Sequence, residues 1–400
     1  MNLKAGFPFS LVRFGLPYTY PKLTASLKTD VVIIGGGISG ALTAYHLHQA
    51  GLDCVVVDGR SIGLGSTCAS TSLLQYEIDT PLTKLSQLRG EADAARAYRL
   101  CLESIGKLGA LAKHIGMQEF KSTQSLYFAA RQKDVAFLQD EYALRKAYRF
   151  PVTYLDDRDV YKKFGFHAPG AILSRTAAYT DAYVFTHELH QHSMRTGLQV
   201  FDRTYIKKVA YVKRHITLTT EEGVTLQARQ LIYATGYEIT ETIQKKIVKL
   251  HSTYATASEH LPKAADGMHE DALLWNTAQP YLYMRRTQDS RIIVGGRDED
   301  FTSPTKRDKL IPRKTKQLAN DYLKLFPNSA FKPEFSWTGT FGTTADGLPY
   351  IGRHPSLPHT YFALGFGGNG ITFSLIAAEM LTDILTGKKN ADARLFSFDR

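Results

Sequence analysis

Residues 30–58 read DVVIIGGGISGALTAYHLHQAGLDCVVVD, and this stretch decides the fold. Asp30 leads into Val31-Val32-Ile33-Ile34, a β-branched run suited to a strand buried on both faces. Gly35-Gly36-Gly37-Ile38-Ser39-Gly40 follows. Leu42, Tyr45 and Leu47 then fall near helical spacing, and Gly51 stands where a helix C-cap belongs. Residues 54–57 (CVVV) make a second strand that ends at Asp58. Strand, helix and strand in this order predict a parallel βαβ unit. Within it Gly35 permits the tight turn, Gly37 lets the backbone approach a pyrophosphate, and Gly40 lets the helix pack close to the strand. The helix start at Ile38 and Ser39 offers N–H groups and a partial positive charge to a phosphate. Asp58, about 20 residues on, stands where an acid accepts hydrogen bonds from an adenosine ribose. Glycines at this spacing also serve ordinary turns; the strand, helix and acid around them favour a dinucleotide site. Arg60, just past Gly59, reads equally as a contact to adenine or phosphate and as a solvated surface arginine.

Three more distant segments favour FAD over NAD. Residues 63–72 (GLGSTCASTS) bring small and hydroxyl-bearing groups, Ser66, Thr67, Ala69, Ser70 and Thr71, that let a chain run close along a pyrophosphate and a flavin ring. Residues 231–236 (LIYATG) form a buried strand that ends in a small turn at Thr235 and Gly236. Residues 365–372 (GFGGNGIT) open a final helix, where Gly367, Gly368, Asn369, Gly370, Ile371 and Thr372 place donors at a second helix N-terminus. Such an end stabilises the negative charge of a reduced flavin. Between these segments, residues 81–150 read mostly as helices broken by a short strand near 125–129. A helix is expected over 183–196, and strands over 205–236 around a turn at Glu221-Glu222-Gly223. Strand-like alternation marks residues 251–300. The expected class is α/β: a Rossmann-like domain assembled from 28–115, 181–250 and 336–400, and an α+β mixed-sheet substrate domain from 116–180 and 251–335. Residues 1–27 form an N-terminal extension.

The glycine-rich segments, together with Trp337-Thr338-Gly339 and Thr344-Ala345-Asp346-Gly347-Leu348-Pro349-Tyr350-Ile351-Gly352, resemble the D-amino-acid oxidase family of FAD enzymes, in its glycine oxidase, sarcosine oxidase and putrescine-type amine oxidase branch. The resemblance runs from about residue 28 to 390. It implies that Val209 meets the adenine through its backbone, that Thr235 and Gly236 line the FAD, and that Gly367 to Thr372 hold the isoalloxazine. It also implies that residues 281–287 and 291–296 form the sheet that roofs the flavin. Two departures stand out. Relatives often carry an Arg-Pro after the Trp-x-Gly, and that arginine grips a substrate carboxylate. Phe341-Gly342 occupies the matching place here. Either the substrate lacks a carboxylate, or Arg285 or another arginine supplies the contact. Some relatives attach flavin through a histidine in the serine-rich turn or a late cysteine. Ala69 stands at the first place and no cysteine follows Cys101, so non-covalent FAD is expected, with Cys68 one residue from the histidine position.

Flavin chemistry asks the protein mainly for position and electrostatics. Tyr281 and Tyr283 read as pocket walls that orient an amine, or as ordinary tyrosines on a half-buried strand. Arg285 and Arg286 alternate faces, one toward the pocket and one toward solvent. Phe341 reads as an apolar wall. Gln75, Tyr76 and Glu77 read as reaching the flavin edge or as a helix start. The 13 histidines lack HxxxH or HExxH spacing, so no metal site is expected. A net charge of +11 is spread along the chain. The pairs and triplets at Lys245-Lys246 and Lys314 to Lys316 are too short for a nucleic-acid tract. Three cysteines in 400 residues fit a reducing compartment. With no signal peptide and no apolar run of about 20 residues, a cytoplasmic protein is expected. The expected partners are a small amine or amino acid and oxygen or another electron acceptor. Two other readings stand beside this one: a polyol or hydroxy-acid dehydrogenase of glycerol-phosphate type at a membrane surface, and a non-catalytic flavin-binding protein.

Overall fold

The computed structural model describes residues 1–212, 215–241, 247–364 and 366–400; Lys245, Lys246 and Gly365 lie outside them. Among the described residues the strands form two sheets. In the smaller, Leu27–Ile34 runs parallel to Cys54–Val57 on one side and to Thr225–Tyr233 on the other. Gln199–Phe201 and Thr360–Leu364 extend the parallel set outward, and Tyr350–Arg353 closes one edge antiparallel. Both faces of Leu27–Ile34 are covered, which is what an unbroken β-branched run requires. Val31 and Ile33 pack with Leu42 and Leu47 of the helix Ile38–Gln49 and with the helices Ala182–Met194 and Gly370–Leu385. Val32 faces the other way, onto Ile216 and Leu218 of the antiparallel meander Ile206–Val212, His215–Thr220 and Thr225–Tyr233. The turn expected at Glu221-Glu222-Gly223 joins the last two of these strands.

The larger sheet runs in the order Lys4–Gly6, Pro333–Thr343, Lys249–Ser258, Ile292–Glu299, Tyr283–Arg286, Ala272–Asn276, Phe120–Phe128, Ala171–Thr180, Leu73–Leu74, with Val152–Leu155 beside Ala171–Thr180. Its far face is covered by the helix Ile311–Leu325, whose Leu318 and Tyr322 pack on Tyr254, Leu274 and Val294. The strand expected near 125–129 is longer than its apolar core, because Phe120–Phe128 pairs with Ala171–Thr180 and Ala272–Asn276 on its two sides. The helix expected at 183–196 is Ala182–Met194, started by Asp181, whose carboxylate accepts from Tyr183 N and Val184 N at 3.0 and 3.1 Å. Residues 75–77 do not start a helix; they lie past the short strand Leu73–Leu74, and the next helix begins at Leu82. Trp337 ties the larger sheet to the serine-rich turn, its indole N–H donating to Ala69 O at 2.9 Å.

Candidate functional site

The glycine turn takes the shape its residues allow. Gly35 sits at φ +110°, a region closed to other residues. A Cβ on Gly40 would fall 1.8 Å from Gly35 O, so only glycine lets the helix close on the strand. Asp58 is spent partly on the turn itself: its carboxylate accepts from Gly36 N at 2.7 Å and from Arg60 N at 2.8 Å. Burial pushes the Asp58 carboxyl above its ordinary range, against those two amides and the Arg60 charge. The Arg60 guanidinium pairs with Glu238, donating to Oε2 at 2.9 Å, and reaches Met1 O at 3.0 Å. It is paired, with its side chain 38% exposed.

A cavity of about 870 Å³ opens from this turn, within the roughly 300–1,000 Å³ range of small-molecule and cofactor sites. Around Asp58 its wall is made by Gly35, Gly37, Ile38, Ser39, Gly59, Arg60, Thr204 and Val209. The serine-rich turn contributes Ser66, Thr67, Ala69, Ser70 and Thr71, and the strand end contributes Thr235 and Gly236. The far part is closed by Gln75, Tyr281, Tyr283, Phe341, Gly367, Gly368, Gly370 and Ile371. The sequence reading thus brings most of its residues onto one surface. Three cofactor residues stand behind it instead. Gly40 packs on Gly35. Asn369 donates to Gln75 O and Glu77 O at 3.1 and 2.8 Å, and Thr372 donates to Asn369 O at 2.9 Å.

Two arginine expectations are corrected. Arg285 does not line the cavity; it lies behind the wall, donating to Thr71 O at 2.7 Å and Arg286 O at 3.0 Å, with its guanidinium over Tyr179. Arg286 does not reach solvent; it is buried and held by Asp266. Strand alternation did send them to opposite faces, but both faces of this sheet are covered. Of residues 75–77, Gln75 alone reaches the cavity; Tyr76 stacks on Phe150, and Glu77 pairs with Arg145 and Ser174.

The far part also holds residues that sequence reasoning missed. Tyr281 donates to Asp79 Oδ1 at 3.0 Å, and Gly368 N donates to Asp79 Oδ2 at 2.6 Å, so one carboxylate ties a wall tyrosine to the last glycine turn. Asp298 and Thr253 line the same region, and Asp298 Oδ1 is buried with no hydrogen-bond partner. Tyr237 stands over Gly367 O. The available signal was an acid after Ile78 in the loop between Leu73–Leu74 and the helix at Leu82, and an acid at the end of the strand Ile292–Glu299. Burial pushes Tyr283 up to about 12 and Tyr281 well above the usual range, so both hydroxyls stay protonated.

Residues of the wall suit a flavin dinucleotide. The turn and its helix are shaped for a pyrophosphate, a Cβ on Gly37 would stand 2.7 Å from Thr67 Oγ1, and the buried Thr235 Oγ1 has no partner. Cys68 is turned away: its thiol donates toward Gly65 O, and burial pushes it up to about 11. Among the described residues no cluster could hold a metal ion, and no helix is long and apolar enough to cross a membrane.

A parallel sheet with a glycine-rich βαβ unit, a second mixed sheet and a cavity between two helix starts define a dinucleotide-binding oxidoreductase fold. The family model for FAD dependent oxidoreductases matches residues 30–384, and the chain belongs to that family, with FAD as its cofactor. Glycine oxidase of Bacillus licheniformis is 25% identical over 368 residues, covering 90% of this chain and 94% of that one. Gamma-glutamylputrescine oxidoreductase of Escherichia coli (strain K12) is 21% identical, covering 92% and 86%. The crystal structure of glycine oxidase from Geobacillus kaustophilus superposes with a TM-score of 0.77 at 19% identity, covering 93% of this chain and 99% of that one.

Proposed function

We propose that this protein oxidises a small amine or amino acid, the carbon beside the nitrogen losing a hydride to give an imine that water hydrolyses to a carbonyl compound and a free amine. The observation that carries the reading is the shared cavity: the two helix starts and the wall of Tyr281, Tyr283 and Phe341 face one space. Non-covalent FAD, when bound, supplies the hydride acceptor. Gly35, Gly37, Ser39, Asp58, Val209, Thr235 and Gly236 would hold its nucleotide and pyrophosphate, and the segment Gly367 to Ile371 would hold its ring, braced from behind by Asn369 and Thr372. Tyr281 and Tyr283 orient the substrate as aromatic walls, the Tyr281 hydroxyl remaining committed to Asp79. Phe341 gives the reacting carbon an apolar wall and keeps water off it. Arg285 acts at one remove, holding the Thr71 carbonyl and with it the serine-rich turn.

The test is anaerobic. The purified yellow protein is mixed with amines, amino acids and polyols, and loss of flavin absorbance is followed. Bleaching by an amine or amino acid is expected. Bleaching by polyols or hydroxy acids alone would move the protein to the glycerol-phosphate type, and bleaching by dithionite alone would make it non-catalytic. Peroxide release on admitting air separates oxidase from dehydrogenase.

A further inference from the structure

The far part of the cavity is electrostatically one-sided. Among the described residues, the basic side chains on the cavity wall are those of Arg60 and Lys207. Arg60 is taken by Glu238 beside Asp58, and Lys207 belongs to the strand Ile206–Val212 that carries Val209. Around Tyr281 and Tyr283, whose ring centroids are 5.7 Å apart, the charged groups are Asp79 and Asp298. Among the described residues no arginine replaces the one absent at Phe341. Arg285 is committed to Thr71 O, Arg286 O and Thr180 O, and Arg286 to Asp266 and Met268 O. A substrate carboxylate would enter this region beside two acids, with no basic side chain of the described wall there to receive it. An ammonium group meets the reverse. Asp298 Oδ1 is a buried acceptor without a donor, which costs stability until one arrives. The rings of Tyr281 and Tyr283 line the same cavity, where aromatic groups favour a cation.

Resting on the amine-oxidation reading above, we propose that Asp298 anchors the substrate ammonium group and that the substrates are amines carrying no carboxylate on the reacting carbon. The contact also gives the proton a destination. An ammonium N–H bond breaks, the proton passes to an Asp298 oxygen, and the nitrogen keeps the electron pair that drives hydride loss. Asp298 is set for this exchange. Burial pushes it up to about 6, with Asp79 and Asp300 adding to the rise and the Thr253 hydroxyl and Lys314 opposing it. Tyr281 and Tyr283 face it as neutral groups. Its charge, and its hold on a cation, are therefore present at neutral pH and lost as the pH falls through about 6.

The experiment uses the FAD-loaded protein in two arms. In the first, matched pairs are compared by the rate of anaerobic bleaching: propylamine with 2-aminobutyrate, phenethylamine with phenylalanine, pyrrolidine with proline. The carboxylate-free member is expected to win each reactive pair by at least about tenfold, a difference of about 1.4 kcal/mol. In the second arm tert-butylamine, which has no hydrogen to lose beside its nitrogen, is titrated against the flavin difference spectrum, with pivalate as the anionic isostere. Tert-butylamine is expected to bind more tightly than pivalate, to weaken about tenfold in yellow Asp298→Asn protein, and to weaken in the native protein between pH 7.5 and 5. If Asp298→Asn loses its flavin, the native pH dependence decides. Bleaching that favours the amino acids, tighter binding of pivalate, or tert-butylamine binding indifferent both to the variant and to pH would overturn the anchor while leaving amine oxidation standing. No bleaching by either member of any pair, with bleaching by polyols, would instead overturn the amine reading beneath it.

Discussion

A methyl group on Gly37 would stand 2.7 Å from Thr67 Oγ1, and the pyrophosphate is expected to run over that spot. Gly37→Val is therefore expected to give a colourless protein with native circular dichroism. A variant that keeps the flavin band at full ratio to protein absorbance would refute the assignment of the turn. Asp58→Ala removes the acceptor of Gly36 N and Arg60 N along with the ribose contact. FAD affinity, measured by reloading stripped protein, is expected to fall at least about tenfold, the worth of one charge-assisted hydrogen bond. These residues were legible because their roles are local: a turn that needs positive φ announces itself by glycine, and a helix start by what precedes it. Asp79 and Asp298 were not legible. Asp298 reaches the cavity wall, and Asp79 its partners behind that wall, only when strands and loops distant in sequence meet, as when Gly368 N reaches Asp79. Arg285 was misplaced for the same reason, since alternation says that two neighbours part but not what covers each face.

At the scale of elements, the helix Ala182–Met194 lies under the glycine turn and makes it sensitive to acid. His190 Nε2 meets Gly36 O at 3.2 Å, while its buried Nδ1 has no partner. Tyr20 and Tyr183 enclose His187. Burial lowers His187 to about 3 and His190 to about 4 from 6.5. The unfolded chain thus binds more protons than the folded one between about pH 6.5 and 4, and stability rises with pH across that window. On acidification it should fall by about 1.4 kcal/mol per pH unit for each histidine. The raised Asp298 carboxyl works the other way over the same range, so the test is a difference: between pH 7 and 5 the urea midpoint of His190→Gln should fall less steeply than that of the native protein, with the His187 share remaining. A second tie joins the helices Val135–Ala147 and Leu82–Arg89. Glu141 accepts from Leu82 N and Thr83 N, both at 2.9 Å, so one helix satisfies the start of another. Burial alone would raise the Glu141 carboxyl, but the Arg145 charge and the two amides hold it below the usual range. Arg145 and its acidic neighbours Glu77 and Glu141 are fully buried. Arg145→Met strands two carboxylates, and a loss of about 3–5 kcal/mol is expected from the urea midpoint. Helix positions were mostly readable from periodicity. This cross-helix cap was not, because nothing in Pro81-Leu82-Thr83 names its partner.

At the scale of the whole molecule, the centre of the smaller sheet followed from the short apolar runs at 30–34, 54–57 and 231–236, while its outer strands Gln199–Phe201, Tyr350–Arg353 and Thr360–Leu364 were not anticipated. The order of the larger sheet was out of reach. Lys4–Gly6 pairs with Trp337–Gly339, and Ala272–Asn276 runs parallel to Phe120–Phe128, pairings that no local pattern encodes. The motif Thr344 to Gly352 proves to be partly a clasp: Asp346 accepts from Leu348 N and from Arg400, and Gly347 lies against Thr80. The cavity wall draws on Leu3, Gly35, Thr235 and Ile371 alike. A chain cut after residue 364 keeps the whole βαβ unit and is nonetheless expected to emerge without bound FAD, by absorbance of the purified fragment.

That distribution of the wall along the chain sets a timetable. Synthesis runs from Gly35 toward Ile371, so a ribosome completes the phosphate-gripping turn long before it makes the segment Gly367–Ile371 that shares the cavity wall. The turn alone leaves the ring end of the coenzyme without its wall. Loading is accordingly expected to wait for Gly367–Ile371, however early the turn is complete.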